Sequence, residues 1–309
     1  MNLKIVLGAL AAGMVAVVGY QLWSDDVVHE RVVQSPARVT QAPAAVVPSW
    51  PVHAASVAVG DTNRMSNPLQ LTHDLRDIYE RFRDSKNPRE RHIAYRAWSA
   101  CFPAFLSASG GMAPLTSLPA NLPTSDPIAT RRADAMRELW GRCKGFSDLS
   151  HDKLMAETQR QRDAWMTGRA HSPGDSAAQA HMQGDSKEGL RIARDAIASQ
   201  DPYAIDSLKD FVIHYWWDLN DTHPEQRVDR PDLRALAFGI AACNMGLECG
   251  PASLTAVQQC ASTGACSGDA VDRYMQSLPT QSDRDTVLAE SRRVERAVRA
   301  KDYAGLGLQ

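Results

Sequence analysis

The sequence lacks an excess of charge of either sign. Its 309 residues include 34 lysines and arginines and 36 aspartates and glutamates, which gives a formal net charge of -2. Both signs are interspersed along the chain, so no large field of one sign is present to attract a polyanion. We therefore expect no nucleic-acid partner.

Familiar catalytic motifs are also missing. The chain has no G-x-S-x-G, no H-E-x-x-H, no G-x-x-x-x-G-K-S/T and no strand-bound G-x-G-x-x-G. The sequence therefore gives no positive reason to expect an enzyme, a bound metal ion or an organic cofactor.

Strand patterns are absent after residue 68, and helical periodicity takes their place. Leu71, Leu75, Ile78 and Phe82 recur at spacings of three and four, which predicts a helix over about 69–84. Similar patterns predict further helices from residue 88 and at about 127–144, 150–168, 187–199, 202–219, 231–245, 253–262, 269–277 and 283–302. The predicted fold class is all-α, with short helices in stacked helical hairpins.

One polar stretch interrupts this series. Residues 169–186, "RAHSPGDSAAQAHMQGDS", contain few large apolar side chains. Such a composition favours a surface loop over a packed helix.

The N-terminus carries an uncharged apolar run at residues 5–24, between Lys4 and Asp25. Twenty helical residues reach about 30 Å, the thickness of the hydrocarbon core of a bilayer. The positive-inside rule keeps Lys4 in the cytoplasm. We therefore predict a transmembrane signal-anchor at 1–24, a single pass through a bacterial inner membrane, and a C-terminal domain in the periplasm.

Two alternatives to this topology stay open. A cleaved signal peptide needs a small-x-small site, whereas Gly19 is followed by Tyr20, Gln21, Leu22 and Trp23, so an uncleaved anchor is favoured. A eukaryotic membrane protein of the same orientation is the second alternative.

Residues 25–68 predict a linker rich in proline, alanine and valine. Five prolines lie between Pro36 and Pro68, which excludes one continuous helix and favours extended segments. At about 3 Å per extended residue the linker reaches up to roughly 100 Å. The folded domain is then predicted at 69–309.

Six cysteines suit an exported domain that is stabilised by disulfides. The spacing between the last four is unlike the C-x2-C pairs of zinc sites, and His223 is the single histidine after Thr222. Sequence alone allows fifteen connectivities for six cysteines. We favour the pairs Cys101–Cys143, Cys243–Cys249 and Cys260–Cys266; the main rival joins Cys243 to Cys260 and Cys249 to Cys266.

Two stretches share an arrangement of cysteine and glycine. "ALAFGIAACNMGLEC" and "TAVQQCASTGAC" both end a helix in a cysteine, turn through a glycine and reach a second cysteine six positions on. This arrangement resembles disulfide-stapled α/α repeat modules of the tetratricopeptide or Sel1-like kind. The resemblance is confined to residues 235–266 and has no repeat of fixed period, so it implies architecture and no function.

One cluster of side chains suggests a binding site, the segment "HYWWDLNDTH" at 214–223. Imidazoles and carboxylates can bind a divalent metal or transfer protons, and exposed tryptophans can stack on a sugar ring. The alternative is a structural helix with core aromatics and a solvated end. The candidate binding residues are His214, Trp216, Trp217, Asp218, Asp221 and His223.

Three functions fit these features. The first is a membrane-tethered periplasmic helical module that binds a protein or an envelope component. The second is an envelope enzyme acting on cell-wall glycan, and the third is a structural or assembly factor of the envelope. A cleft lined by Trp216, Asp218 and His223 would favour the enzyme, whereas a flat apolar patch would favour the other two.

Overall fold

The computed structural model describes residues 68–106 and 126–308, and within these ranges the chain is helical and has no strand. This confirms the predicted all-α class. The α-helices are α1 (Pro68–Leu71), α2 (Leu75–Phe82), α3 (Pro88–Leu106), α4 (Pro127–Cys143), α5 (His151–Met166), α6 (Pro173–Met182), α7 (Ser186–Ser199), α8 (Pro202–Thr222), α9 (Pro231–Asn244), α10 (Leu254–Thr263), α11 (Ala270–Ser277) and α12 (Gln281–Ala300). Short 3-10 helices follow α4 (Lys144–Asp148) and α8 (Pro224–Gln226).

A first core unites the N-terminal helices with α10. Its centre is a triangle of aromatic rings, Tyr79, Trp98 and Phe146, whose centroids lie 5.1 to 5.7 Å apart. All three side chains are at most 2% exposed. Leu254 and Val257 of α10 belong to the same cluster, so a helix late in the sequence completes the N-terminal core.

A second core forms around α8, which packs against α6, α7 and α9. Phe211, Trp216 and Phe238 are each at most 1% exposed in this cluster. Leu306 and Leu308, beyond the end of α12, are buried in the same core. The start of α8 joins the two cores, because Tyr203 packs in the first cluster and Ile205 packs in the second.

All six cysteines are paired in disulfides. Cys101–Cys143 joins α3 to the end of α4, Cys243–Cys249 joins the end of α9 to the next turn, and Cys260–Cys266 does the same for α10. The favoured connectivity is confirmed and the crossed alternative is wrong.

The prediction of a surface loop at residues 169–186 is wrong, because this stretch contains α6. Ser172 and Asp175 form a reciprocal capping box that begins the helix. Gly174, Ala177 and Ala178 are buried, so α6 packs through small residues instead of large apolar ones. Its packing on α8 is close enough that small side chains suffice to exclude water.

The predicted membrane anchor at 5–24 lies outside the described residues, as does nearly all of the predicted linker at 25–68. Among the helices of 68–106 and 126–308, none combines the length and apolar character needed to cross a bilayer. The anchor, the linker and the periplasmic location therefore stay predictions.

Candidate functional site

The aromatic members of the predicted cluster at 214–223 face different surroundings. Trp216 is 1% exposed, and its ring centroid lies 6.1 Å from that of Phe238 in the core. Trp217 is 47% exposed and meets the His214 ring at 6.0 Å. Successive residues of an α-helix point about 100° apart, so the two tryptophans do not line one face.

The polar members of that cluster also lie in different surroundings. Asp218 Oδ2 lies 2.8 Å from Nε2 of His181 on α6. His223 follows the last residue of α8, and its Nδ1 lies 3.3 Å from Oε1 of the exposed Glu225. Asp221 is exposed. The six residues are thus divided among the core, an α6 contact and an exposed helix end, and their role in binding stays a prediction.

An open cleft of about 610 Å³ lies where the first turns of α3, α6 and α8 meet the middle and the end of α7. This volume is in the range of small-molecule sites. Trp216, Asp218 and His223 are not among its lining residues. The lining consists of Asn87, Pro88, Arg89, His92, His171, Ser172, Pro173, Ser176, Arg191, Ile192, Asp195, Ala196, Ser199, Asp201, Tyr203 and Ala204.

The three helices that begin at the cleft start in the same way, with a capping residue and then a proline. In each, the side-chain oxygen of the capping residue accepts a backbone N–H of the first turn at 3.0 to 3.2 Å. Proline suits the next position because its φ is already helical and it has no N–H to leave unpaired. The three starts are Asn87-Pro88, Ser172-Pro173 and Asp201-Pro202.

His92 stands in the wall of the cleft at the end of the first turn of α3. Its Nδ1 lies 2.8 Å from the Ala170 carbonyl oxygen and 3.6 Å from Oδ2 of Asp175. Because a carbonyl only accepts, Nδ1 donates to it and Nε2 holds the lone pair. Burial lowers the pKa of His92 to about 4, although Asp175 acts in the opposite direction. The imidazole is therefore neutral near pH 7.

Asp175 also explains why Ser172 is not an activated nucleophile. Ser172 donates its hydroxyl proton to Asp175 Oδ2 at 2.6 Å, and the same oxygen accepts the Ser172 N–H at 2.9 Å. A serine nucleophile needs a base such as histidine on its hydroxyl, with the carboxylate behind that base. Here the Asp175 carboxylate lies between Ser172 and His92. Ser172 and Asp175 therefore act as the N-terminal cap of α6.

His171, just before the N-terminus of α6, also lines the cleft. It is 8% exposed, and its ring meets the Trp165 ring edge-on at 4.5 Å. Burial lowers the pKa of His171, and Asp175 opposes this shift. Nε2 of His171 is buried and has no hydrogen-bond partner within the described part of the chain.

Tyr203 and Arg89 supply the remaining buried polar groups of the cleft. The Tyr203 hydroxyl and the Arg89 Nε–H are buried without a hydrogen-bond partner in the described ranges. The Arg89 guanidinium lies 5.2 Å from the Tyr203 ring centroid, and its Nη1 lies 3.0 Å from Asp201 Oδ2. The cleft therefore combines neutral imidazoles, a phenol and a paired guanidinium.

A cluster of charged side chains lies on α8, just after Ala204, the last residue of this helix that lines the cleft. Lys209 Nζ lies 3.1 Å from Asp206 Oδ1, and Arg96 of α3 and Tyr274 of α11 interact electrostatically with both residues. Burial raises the pKa of Asp210, and Lys209 counteracts this. The Asp210 side chain nevertheless keeps contact with solvent.

This cleft was not predicted from the sequence. The helices α3 and α8 were predicted, but His171 and Ser172 fall in the stretch 169–186, which was predicted to be a surface loop. The capping pattern Ser172-Pro-Gly-Asp175 is typical of a helix start, and it could have predicted that α6 begins here.

Three comparisons with known proteins returned no match: no protein-family model, no curated protein and no solved structure is similar to this chain at the significance required. Within 68–106 and 126–308, no three or more His, Cys, Asp or Glu side chains lie together as metal ligands would.

Proposed function

We propose that this protein is a membrane-tethered periplasmic helical module whose cleft binds an envelope component. The observation that carries the proposal is the open cleft of about 610 Å³, whose lining combines apolar residues with histidine, arginine, aspartate and serine residues. Binding sites are typically concave and present a few convergent polar groups on an apolar lining.

The disulfides support the proposed location. All six cysteines of the chain are paired, and disulfides persist in oxidising compartments such as the periplasm. The apolar run at 5–24 and the linker at 25–68 supply the tether in this proposal. A domain held on such a linker would sample envelope components at some distance from the bilayer.

A photo-crosslinker placed at the rim of the cleft tests the proposal in living cells. Arg191 lines the cleft with a side chain that is 59% exposed, so it can be replaced by p-benzoylphenylalanine without opening the core. The matched control is Arg227, which is 72% exposed and follows the other end of α8. The 21 residues of α8 put about 30 Å between its two ends.

We expect an adduct with an envelope component from position 191 and none from position 227. Equal labelling from both positions, or no adduct from position 191, would contradict a binding role for the cleft.

An envelope enzyme acting on cell-wall glycan is the second candidate, and the charged group on α8 favours it. A carboxyl with a raised pKa beside a lysine and a second carboxylate is a common arrangement for acid-base chemistry. The test is the release of new reducing ends from purified cell wall by the full chain and by the Asp210→Asn variant. Release that the variant abolishes would favour the enzyme over the binding module.

A further inference from the structure

A serine, a histidine and an aspartate lie in succession where α6, α7 and α8 meet. Ser186 Oγ lies 2.9 Å from Nδ1 of His181, and Nε2 of His181 lies 2.8 Å from Oδ2 of Asp218. The imidazole therefore lies between the hydroxyl and the carboxylate. A serine nucleophile, its base and the carboxylate that orients the base are arranged in this order.

The turn between α6 and α7 holds the serine beside the histidine. The carbonyl of His181, in the last turn of α6, accepts the Gly184 N–H at 2.9 Å, and Gly184 has a φ of 87°. Glycine adopts this φ without strain, so the chain can reverse directly after the helix. Asp185 then caps α7 by accepting the Glu188 N–H at 3.0 Å, which makes Ser186 the first residue of α7.

The imidazole of His181 is held in place by aromatic rings on α8. The rings of Phe211 and Tyr215 meet it edge-on, with centroids at 6.1 and 5.6 Å. The His181 side chain is 7% exposed, so its ring is packed on most sides. Because a carboxylate only accepts, a proton directed at Asp218 lies on Nε2, and Nδ1 then accepts the Ser186 hydroxyl.

The contact between His181 and Asp218 is close but is not aligned as a hydrogen bond. Nε2 of His181 has no hydrogen-bond partner within the described ranges, although Asp218 Oδ2 lies at ion-pair distance. The Asp218 side chain is 67% exposed, so its carboxylate can turn toward the Nε2–H without a change in the core. Hydrogen bonds between catalytic groups are often poorly aligned until the substrate is bound.

The N-terminus of α7 offers donors for the negative charge that forms on a reacting carbonyl. The cap accepts the Glu188 N–H, whereas the N–H groups of Ser186 and Lys187 have no hydrogen-bond partner among the described residues. The backbone N–H of a serine nucleophile, or of the residue after it, contributes to the oxyanion hole of other hydrolases. The positive end of the α7 dipole favours the same charge.

We propose that Ser186 and His181 hydrolyse carboxylic esters, with Asp218 as a positioning residue. Ser186 Oγ bonds to the carbonyl carbon and gives its proton to Nδ1 of His181, while a C=O electron pair moves to the oxygen. The bond to the alcohol oxygen then breaks, and this oxygen takes the proton from Nδ1. Water attacks the acyl-enzyme in the same way, which releases the acid and returns the proton to Ser186.

The surroundings of Ser186 favour an ester with a short acyl group. Residues 182–185, directly before it, are exposed, so this surface offers little apolar area to a long chain. Ser186, His181 and Asp218 are not among the lining residues of the open cleft. The inference therefore goes beyond the proposed binding function, and its failure would leave that proposal unchanged.

A fluorophosphonate probe tests the nucleophile, because activated serine hydroxyls bond to its phosphorus with loss of fluoride. The purified full chain is treated with the probe in native and in heat-denatured form, and adducts are mapped by mass spectrometry. We expect an adduct on Ser186 of the native protein. The matched control is Ser282, an exposed serine in the first turn of α12 that has no hydrogen bond to a histidine in the described part of the chain.

Hydrolysis of p-nitrophenyl acetate measures the activity of the variants. Ser186→Ala should lower the rate about 100-fold, and it should stay folded because alanine favours the helix and Asp185 still caps it. Ser282→Ala should keep the wild-type rate. His181→Gln should lose the probe adduct, with thermal unfolding as the check that it is folded.

Asp218 is tested through kcat, since a purely structural surface residue would not change it. Asp218→Asn should lower kcat about tenfold to 100-fold with little change in KM, and Asp218→Glu should restore most of the rate. An unchanged kcat for Asp218→Asn would overturn the positioning role.

Three results would overturn the inference as a whole. The first is the absence of an adduct on Ser186, or equal labelling of Ser282 or of the denatured chain. The second is ester hydrolysis by Ser186→Ala at the wild-type rate. The third is full labelling of a folded His181→Gln variant, because the serine would then not depend on the histidine as its base.

Discussion

Gly174 and Ser207 are in direct backbone contact where α6 crosses α8. A Cβ added to Gly174 would lie 1.7 Å from the Ser207 carbonyl oxygen, and the Gly174 N–H donates to Ser207 Oγ at 3.0 Å. Only glycine permits this approach. The contact fixes the N-terminal turn of α6, which carries Ser172 and follows His171, against the start of α8, which carries Tyr203.

Gly174→Ala should therefore destabilise the domain and disturb the cleft together. Because the added methyl group meets backbone and not a flexible side chain, α6 must move, and we expect a loss of about 1–3 kcal/mol in the free energy of unfolding. Urea unfolding of the full chain, followed by tryptophan fluorescence, measures this loss. The matched control is Gly141→Ala in α4, where an added Cβ meets nothing within 4 Å and helix propensity improves. An unchanged midpoint for Gly174→Ala would show that the contact is looser than described.

The disulfides should differ in their contribution to stability. Cys101–Cys143 spans 42 residues and each of the other two spans 6. Loop-closure entropy predicts a loss of about 4 kcal/mol when Cys101 and Cys143 are replaced by serine, and about 2 kcal/mol for Cys260 and Cys266. Urea unfolding of the two double variants gives the comparison. Equal losses, or the reverse order, would contradict this ranking.

The adjacent tryptophans of α8 should have different roles. Trp216 is 1% exposed in the core, so Trp216→Ala should cost about 3–5 kcal/mol. Trp217 is 47% exposed, and Trp217→Ala should change the free energy of unfolding by about 0.5 kcal/mol or less. Thermal unfolding of both variants tests this difference. A large loss for Trp217→Ala would mean that its side chain packs against a part of the chain outside the described residues.

Stability should fall in mild acid, with His92 as a main cause. Desolvation lowers the pKa of His92 to about 4; Asp175 opposes this shift, and Arg96 and His171 add to it. The folded pKa lies below the unfolded value of about 6.5, so in this window the unfolded chain binds a proton that the folded chain does not. Stability is then complete above about pH 6.5 and decreases as the pH falls toward 4, by up to about 3 kcal/mol.

His92→Asn separates this contribution from the other acid-sensitive groups. Asparagine can keep a donor for the Ala170 carbonyl but does not titrate, so the variant should lose less stability than the wild type between pH 7 and pH 4.5. The quantity compared is the slope of stability against pH, since the variant is expected to be less stable at every pH. Identical slopes would assign the acid sensitivity to other groups.

The sequence predicted the helices well where local signals were strong. Asp201-Pro202 marks the start of α8, and its apolar spacing marks the buried side. The same reasoning failed at α6, because Gly174 and Ala177 pack closely without large apolar side chains and so leave no hydrophobic periodicity to read.

The cleft was beyond prediction for a different reason. His92 and Ala170 are hydrogen-bonded although 78 residues separate them in sequence. Such a pairing depends on how α3, α6 and α8 pack, and a single sequence gives no measure of that packing. The cysteine pairs were predictable because two of the three close a short turn directly after a helix.

The most direct test of the account is the redox state of the cysteines in the native membrane-bound protein. Membranes are treated with an alkylating reagent before and after reduction, and the modified cysteines are mapped by mass spectrometry. We predict that all six cysteines are protected until reduction, as expected of a domain exported to an oxidising compartment. Free thiols at Cys243, Cys249, Cys260 and Cys266 before reduction would contradict the proposed topology, and with it the proposed role in the envelope.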